Sequence, residues 1–405
     1  MALAGLCAAA CAREDPRVLQ FWAMGREGEV ASQLLVAFER ENPGVRVRVE
    51  QLPWAAAHEK LLTAYAGDAT PDLAQMGNTW LPEFVALGAI EPIEFPPGDY
   101  DPGILATNVL EGRQYAVPWY VDTRALFYRR DLLSQAGFDA PPRDWEEWLR
   151  MQVAIKQRVG ADRYAVLLPL NEYEPLEALW LQQGTPLLRD GDRYGNFRSP
   201  GFERALSFYQ SMFERHLAPA VTNNEVANVW NEFGRGYFAF YISGPWQIGE
   251  FKRRLPPELQ GSWMTAPLPG PTGPGASMAG GCSLAIYKRS PRKELAGKLV
   301  EFLSRPSVQL QFYRLTGNLP ARRSAWADPL LADDPYARGF RDQLDRVRPL
   351  PQVPEWERIA TELRLVVEKA VRGDIPVDRV PQELDARADR ILEKRRWMLE
   401  RGALE

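Results

Sequence analysis

Histidine is nearly missing from this chain of 405 residues, which has only His58 and His216, far apart and without a companion at metal-ligand spacing. A metal centre or imidazole-based catalysis is therefore not expected, and no cofactor is called for. Cysteine is as scarce. Two of the three cysteines stand within the first eleven residues, which leaves Cys282 alone in the body. No intrachain disulfide is open to the mature chain, so export cannot rest on one. A basic excess is lacking too: 49 lysines and arginines face 53 acidic residues, for a net charge of -4. That leaves no electrostatic footprint for nucleic acid. What the chain does have in quantity is tryptophan, 13 residues in all. Indole is awkward to bury unless its N–H finds a partner, so some of these rings are expected to line a cleft. Apolar and charged fractions of 45% and 25% are ordinary for a globular protein. The length implies two or three domains.

Residues 1–12 are a run of small and apolar residues with two cysteines. The run is far shorter than the roughly 20 apolar residues that span a bilayer. Followed by Arg13-Glu14-Asp15-Pro16, it has the shape of a secretory leader without the basic start. Ala8-Ala9-Ala10-Cys11 resembles a degenerate bacterial lipobox, which makes Cys11 the candidate lipidation site. A disordered tail is the plainer alternative.

The body opens with strand and helix in alternation. Val18-Leu19-Gln20-Phe21-Trp22 is a short apolar strand, and Val30, Leu34, Leu35 and Phe38 then recur at helical spacing until Asn42-Pro43-Gly44. Val45 to Val49 alternates as a half-exposed strand, a helix follows with Leu61, Leu62 and Tyr65 on one face, and Asp72 to Met76 is a third strand. Such tight alternation implies a parallel, doubly wound sheet, whose ligands sit at the carboxyl ends of its strands. Three loops converge there: Ala23 to Glu29, Pro53-Trp54, and Gly77-Asn78-Thr79-Trp80. Asn78 or Thr79 has a capping role as its alternative; Trp80 is the better binding candidate.

The stretch Val117-Pro118-Trp119-Tyr120-Val121-Asp122, running on into Ala125 to Tyr128, organises the rest. Pro118 forbids a central ladder position and biases Val117 towards extended geometry. A chain leaving one sheet for another here makes a hinge with Trp119, Tyr120 and Asp122 at the crossing. A ring face beside a charged acceptor suits a sugar, while a buried aromatic cluster with Asp122 capping a turn is the alternative.

Beyond the hinge the pattern restarts. Asp144 and Glu147 have capping-box spacing ahead of a helix. Glu172 and Glu174 lie at a strand end before the next helix, where a solvated first turn competes with a catalytic pair. Ser243-Gly244-Pro245-Trp246 sets another aromatic after a buried strand, and Gly280-Gly281-Cys282 opens a strand where glycines let a backbone approach closely. Arg348-Pro349 offers a guanidinium on a rigid turn.

Taken in order, Phe38 through Val45, Pro71-Asp72-Leu73, Trp80 through Phe84, Pro118-Trp119-Tyr120, Phe127-Tyr128, Gly244-Pro245-Trp246, Gly280-Gly281 and Gly317-Asn318-Leu319-Pro320 resemble one family. It is the family 1 extracellular solute-binding proteins of bacterial ABC sugar importers, the maltose/trehalose-binding group. The resemblance implies a two-lobe periplasmic-binding-protein fold of type II, each lobe a doubly wound, mainly parallel sheet. Lobe one takes 13–121 and 277–325 and lobe two 122–276 and 326–405, with hinges near 118–124, 270–283 and 318–326. The family's ligand positions fall on Tyr120, Asp122, Trp246, Gly280, Gly281, Glu172, Arg348, Glu27 or Glu29, and the loop from Gly77 to Trp80. Cys282 stands where an aromatic is usual, and Gly77-Asn78 where an acid is usual.

The expectation is a non-enzymatic carrier, an exported monomer of the periplasm or cell envelope that closes on a sugar and delivers it to a membrane permease. Trp80, Trp119, Tyr120 and Trp246 are expected to stack on sugar faces, with Asn78, Asp122, Glu172 and Arg348 bonding hydroxyls. A disaccharide such as trehalose or maltose is the expected cargo. A glycoside hydrolase is the rival from another class, needing two carboxylates about 5 to 10 Å apart. A polyamine in the same fold is the third reading, disfavoured by an expected excess of tryptophan over acids in the cleft loops.

Overall fold

The computed structural model describes residues 15–96, 98–226 and 228–402, so the leader and Cys11 lie outside the described residues. Strand β1 (Val18–Met24) leads into α1 (Gly25–Glu41), β2 (Arg46–Leu52), α2 (Trp54–Ala66), β3 (Leu73–Gly77), a 3-10 turn over Asn78–Trp80, and α3 (Leu81–Ala86). Strands β4 (Val117–Asp122) and β5 (Ala125–Arg129) follow one another across only Thr123 and Arg124. Next come α4 (Trp145–Val159), β6 (Val166–Leu167), α5 (Glu174–Leu181), α6 (Pro200–Glu214), β7 (Phe240–Ser243), α7 (Trp246–Arg254) and β8 (Trp263–Ala266). The chain returns through β9 (Ser277–Met278) to β10 (Gly280–Ile286), α8 (Lys293–Leu303), α9 (Pro306–Thr316) and β11 (Leu319–Pro320). It then runs through α10 (Pro335–Leu344), β12 (Val347–Arg348), α11 (Trp356–Val371), α12 (Val380–Ile391) and α13 (Glu393–Glu400).

Two sheets result. The first has the order β11-β4-β10-β3-β1-β2 and the second β8-β5-β7-β6. In the first, β1 lies parallel to both β2 and β3, and β10 runs antiparallel between β3 and β4. In the second only the β7–β6 pairing is parallel, while β5 is antiparallel to β7 and β8. The cause is the entry of β5: it comes straight from the first sheet rather than through the helical crossover that parallel neighbours need.

Local chemistry explains the pieces. Val30, Leu34, Leu35 and Phe38 of α1 are buried with Phe21 of β1, so one helical stripe covers one sheet face. The Asn42 side chain and backbone both donate to Phe38 O and close that helix. Asp144 accepts from Glu147 N at 2.8 Å to cap α4, and Glu147 answers by accepting from Arg143 N. Five tryptophans, Trp119, Trp148, Trp180, Trp263 and Trp356, are fully buried, and none of their indole N–H groups has a hydrogen-bonding partner. Scarcity of partners therefore did not keep these rings out of the core. Removing roughly 200 Å² of ring from water is worth about 5 kcal/mol, more than the roughly 1–3 kcal/mol of an unmade hydrogen bond.

The start of β3 is pinned by a buried charge. The Asp72 carboxylate accepts from Gln20 N at 2.8 Å, Ser290 Oγ at 2.6 Å and Arg292 Nη1 at 3.3 Å. Removing one partner of a buried ion pair leaves the other uncompensated. Asp72→Ala is expected to lose about 3–5 kcal/mol in a urea melt; a loss within 1 kcal/mol would show that water already solvates this pair.

Candidate ligand-binding cleft

A cavity of about 520 Å³ is lined by residues of the first sheet and by helix and loop residues beside the second, within the range of small-molecule sites. On the first-lobe side it is bordered by Arg26 and Glu27 in the first turn of α1, Trp54 at the start of α2, and Gly77 to Trp80 after β3. Tyr120, the Gly280–Cys282 segment, Thr316 and Asn318 complete that wall. On the second-lobe side stand Arg124, Tyr173, Glu174, Glu177, Trp246, Glu250 and Leu350.

The first wall is a hydrogen-bonded unit. Glu27 Oε1 accepts from Asn318 Nδ2 at 2.7 Å and from the Tyr120 hydroxyl at 3.1 Å. Gln75 Nε2 donates to the Tyr120 hydroxyl at 2.9 Å, and Gln75 Oε1 accepts from Met24 N. Burial raises the Glu27 carboxyl above the usual carboxylate range, against the pull of these donors. Ser283 Oγ donates to Asn78 Oδ1 at 2.9 Å, whereas Asn78 Nδ2 has no partner.

The second wall is built on Arg124, which is 8% exposed. Its Nη1 donates to Asp122 Oδ1 at 2.5 Å and its Nη2 to Glu174 Oε1 at 2.6 Å. Its guanidinium lies 4.8 Å from the Trp246 ring centroid. Burial raises the Asp122 carboxyl, and the Arg124 charge opposes the rise. Gly244 lets the indole fold back, since a Cβ there would fall 1.8 Å from Trp246 Cζ3.

Of the residues expected from sequence, Glu27, Asn78, Trp80, Tyr120, Asp122, Trp246, Gly280 and Gly281 all border the cavity. Four others do not, and each has a physical reason. Trp119 is fully buried and stacks on Phe312 at 4.5 Å. Successive side chains leave a strand on opposite faces, so Tyr120 and Asp122 in the cleft turn Trp119 into the core. Glu29 sits on α1 about 200° round from Glu27 and pairs at 2.8 Å with Arg26 in solvent. Glu172 precedes α5 and accepts from Asn223 Nδ2 at 2.6 Å. Arg348 is exposed in β12, with Nη1 donating to Leu181 O at the C-terminus of α5, a favourable place for a cation.

Sequence reasoning named no role for Arg124, Glu177, Tyr173 or Glu250. Glu177 was legible as the residue one helical turn from Glu174. The cleft acids Glu27, Asp122, Glu174, Glu177 and Glu250 outnumber the three indoles Trp54, Trp80 and Trp246, contrary to the expected excess of tryptophan.

The paired glycines owe their identity to the hinge. A Cβ on Gly280 would lie 2.2 Å from Asp122 O, and one on Gly281, at φ +152, 2.4 Å from Tyr120 O. Gly281→Ala is expected to destabilise by about 2 kcal/mol or more in chemical denaturation; an unchanged midpoint would mean that β10 can shift freely. A second outcome concerns pH. Burial and the neighbouring Glu174 push the Glu172 carboxyl up from 4.5 to about 7. The neutral form is favoured in the fold, so this contribution is whole below pH 4.5 and lost as pH rises through about 7. The ligand-free melting temperature should fall more steeply over that interval in the wild type than in Glu172→Gln; equal slopes would contradict the assignment.

The model for "Bacterial extracellular solute-binding protein" matches residues 24–310. The sugar-binding protein MalE from the phytopathogen Xanthomonas citri is similar over 95% of this chain and 99% of its own, at 53% identity and a TM-score of 0.89. A putative binding protein from Brucella abortus (strain 2308) is 29% identical over 380 residues, 91% of each chain. The maltotriose-binding protein of Pyrococcus abyssi is 24% identical over 344 residues, 81% of this chain and 71% of that one.

Proposed function

We propose that this chain, which belongs to the bacterial extracellular solute-binding protein family, captures a small saccharide between its two lobes and delivers it to the permease of an ABC importer. Its fold is the two-lobe fold of the periplasmic binding proteins. The observation that carries the saccharide reading is the make-up of the cavity: indole faces of Trp54, Trp80 and Trp246 beside fixed acceptors and donors from both lobes. Sugar rings stack their C–H faces on indole, and their hydroxyls donate to carboxylates such as Asp122 and Glu27. The names of the relatives, a sugar-binding MalE and a maltotriose-binding protein, support an α-glucoside class. A disaccharide such as maltose or trehalose is the cargo proposed.

Binding rather than hydrolysis suits the carboxylates. Asp122 and Glu174 are both committed to Arg124, and Glu27 to Asn318 and Tyr120. Glu250 pairs with Arg253 and Arg254, which leaves Glu177 as the one uncommitted acid among the described residues on the cavity. A glycosidase instead needs one acid free to give a proton and a second to attack or activate water. A micromolar dissociation constant, about 8 kcal/mol, is enough for capture and still permits release. The same reading has the mature chain act as a monomer outside the cytoplasmic membrane, anchored through Cys11. Among the described residues no helix is long and apolar enough to cross a membrane. The excess of cleft acids over indoles favours one second reading, a polyamine in the same cleft.

Thermal melts of the whole chain with maltose, trehalose, maltotriose, sucrose, glucose and spermidine discriminate these readings, because a ligand of the native state raises the melting temperature with its concentration. One α-glucoside is expected to do so, without being hydrolysed. Trp246→Ala and Asp122→Ala are each expected to weaken it by about tenfold or more, 1.4 kcal/mol. A shift with spermidine alone would replace the saccharide reading by the polyamine one.

A further inference from the structure

Four acidic side chains lie close together at and behind the second wall of the cleft, and three of them have partners. Asp122 and Glu174 receive Arg124, and Glu357 at the start of α11 accepts from the Tyr173 hydroxyl at 3.3 Å. Glu177 is different. It is 0% exposed, it borders the cavity, and neither carboxyl oxygen has a hydrogen-bonding partner in the protein. Among the described residues it is the only carboxyl group with both oxygens buried and unpartnered. Its helix neighbours Leu176, Ala178, Leu179 and Trp180 are all buried, so an apolar residue would suit the position better for folding alone.

We propose that Glu177 is a specificity-determining residue of the cleft, hydrogen-bonding hydroxyl groups of a neutral saccharide from the second-lobe side. The proposal rests on the saccharide reading above and deepens it. A second unpartnered group borders the same cavity from the first lobe, Asn78 Nδ2, also buried. A ligand spanning the cleft thus meets one amide donor and one carboxyl group that the fold itself does not use. Hydroxyls fit both, because a hydroxyl donates one hydrogen bond and accepts others. Burial and the nearby Glu174 and Glu357 hold the Glu177 carboxyl well above the usual carboxylate range, with Arg124 opposing. That favours the protonated form, which offers one donor and one acceptor to a neutral partner.

The test compares the whole wild-type chain with Glu177→Gln and Glu177→Met by isothermal titration and thermal melts. The probes are maltose, trehalose, maltotriose and the free-amine disaccharide of glucosamine. A group kept for binding predicts that the ligand-free Met variant melts at or above the wild type while its affinity for the neutral sugar falls tenfold or more. The Gln variant, which retains a donor and an acceptor, should lose less. Wild-type affinity in both variants overturns the assignment, as does a ligand-free Met variant that melts several degrees lower, which would make Glu177 structural. Should the Met variant not fold, Glu177→Leu takes its place, and affinity at the wild-type level in that variant overturns the proposal. Binding of the amine sugar only would replace hydroxyls by a cation as the partner of Glu177. A wild type that binds none of the four overturns the saccharide reading itself, an outcome distinct from an unaltered variant in a wild type that binds.

Discussion

The geometry of the cleft depends on one buried cation. Arg124 follows β4 by two residues, at the point where the chain passes from the first sheet into the second. A guanidinium keeps its charge in any protein environment, so burying it obliges the fold to bring carboxylates to it. It draws Asp122 from the end of β4 and Glu174 from the first turn of α5, and its face lies on Trp246 at the start of α7. Its backbone N–H donates to Ser277 Oγ at 3.1 Å, which ties in β9 on the return to the first sheet. One residue therefore fixes the crossing, its neighbouring return segment and the aromatic on the second wall. Lysine, a point charge without the planar fork, would hold two carboxylates and an indole with less fixed geometry.

Much of the fold was legible because it rests on local rules. The stripe Val30, Leu34, Leu35 and Phe38, the alternation after Val45 and the Asp144 cap each appear where the sequence put them. Pro118, expected to be kept out of a central ladder, instead lies inside β4 opposite Ser283, beside a register shift in β10 that accommodates it. The sharp step from β4 to β5 was legible from the β-rich runs on either side. The direction of β5 relative to its neighbours was not, since nothing in a strand's own residues says which end of a second sheet it enters. At the cleft, Asn78, Trp80 and Trp246, which follow strand ends, border the cavity, although Glu172 at another strand end does not. The errors arose where a helix or strand period applied and was not used. Trp119 cannot share a face with Tyr120, nor Glu29 with Glu27, once the elements that carry them are known. Arg124 was missed for another reason: its role follows from a partner about 50 residues away, which is not written locally.

Buried polar atoms without partners mean different things in different places here. Five buried indoles leave their N–H groups unpaired, yet each ring removes enough apolar surface from water to outweigh that loss. Glu177 has no such compensation, because a carboxyl group brings little apolar surface and two strong acceptors. Its neighbours differ from it only in having a cation or a hydroxyl to meet. The distinction separates a core that tolerates an unmade bond from a wall that keeps polar groups uncommitted. Stability and recognition pull in opposite directions at the second kind of position, which is where sequence rules based on folding alone are expected to fail.

The two walls are also organised before they meet a ligand. Glu27, Tyr120, Gln75 and Asn318 hold one another in the first lobe, as Asp122, Arg124 and Glu174 do in the second. Side chains already fixed by internal bonds lose little rotamer freedom on binding, so more of each contact's energy appears as affinity. Yet neither wall alone surrounds a ligand. A solute that touches both has a higher affinity for the arrangement in which they face each other across the cavity, and that difference is the whole thermodynamic drive for closure. The hinge must then bend without loosening either network. The contacts of Gly280 and Gly281 with the backbone of Asp122 and Tyr120 serve that end, because they keep β10 and β4 locked as one unit beside the crossing.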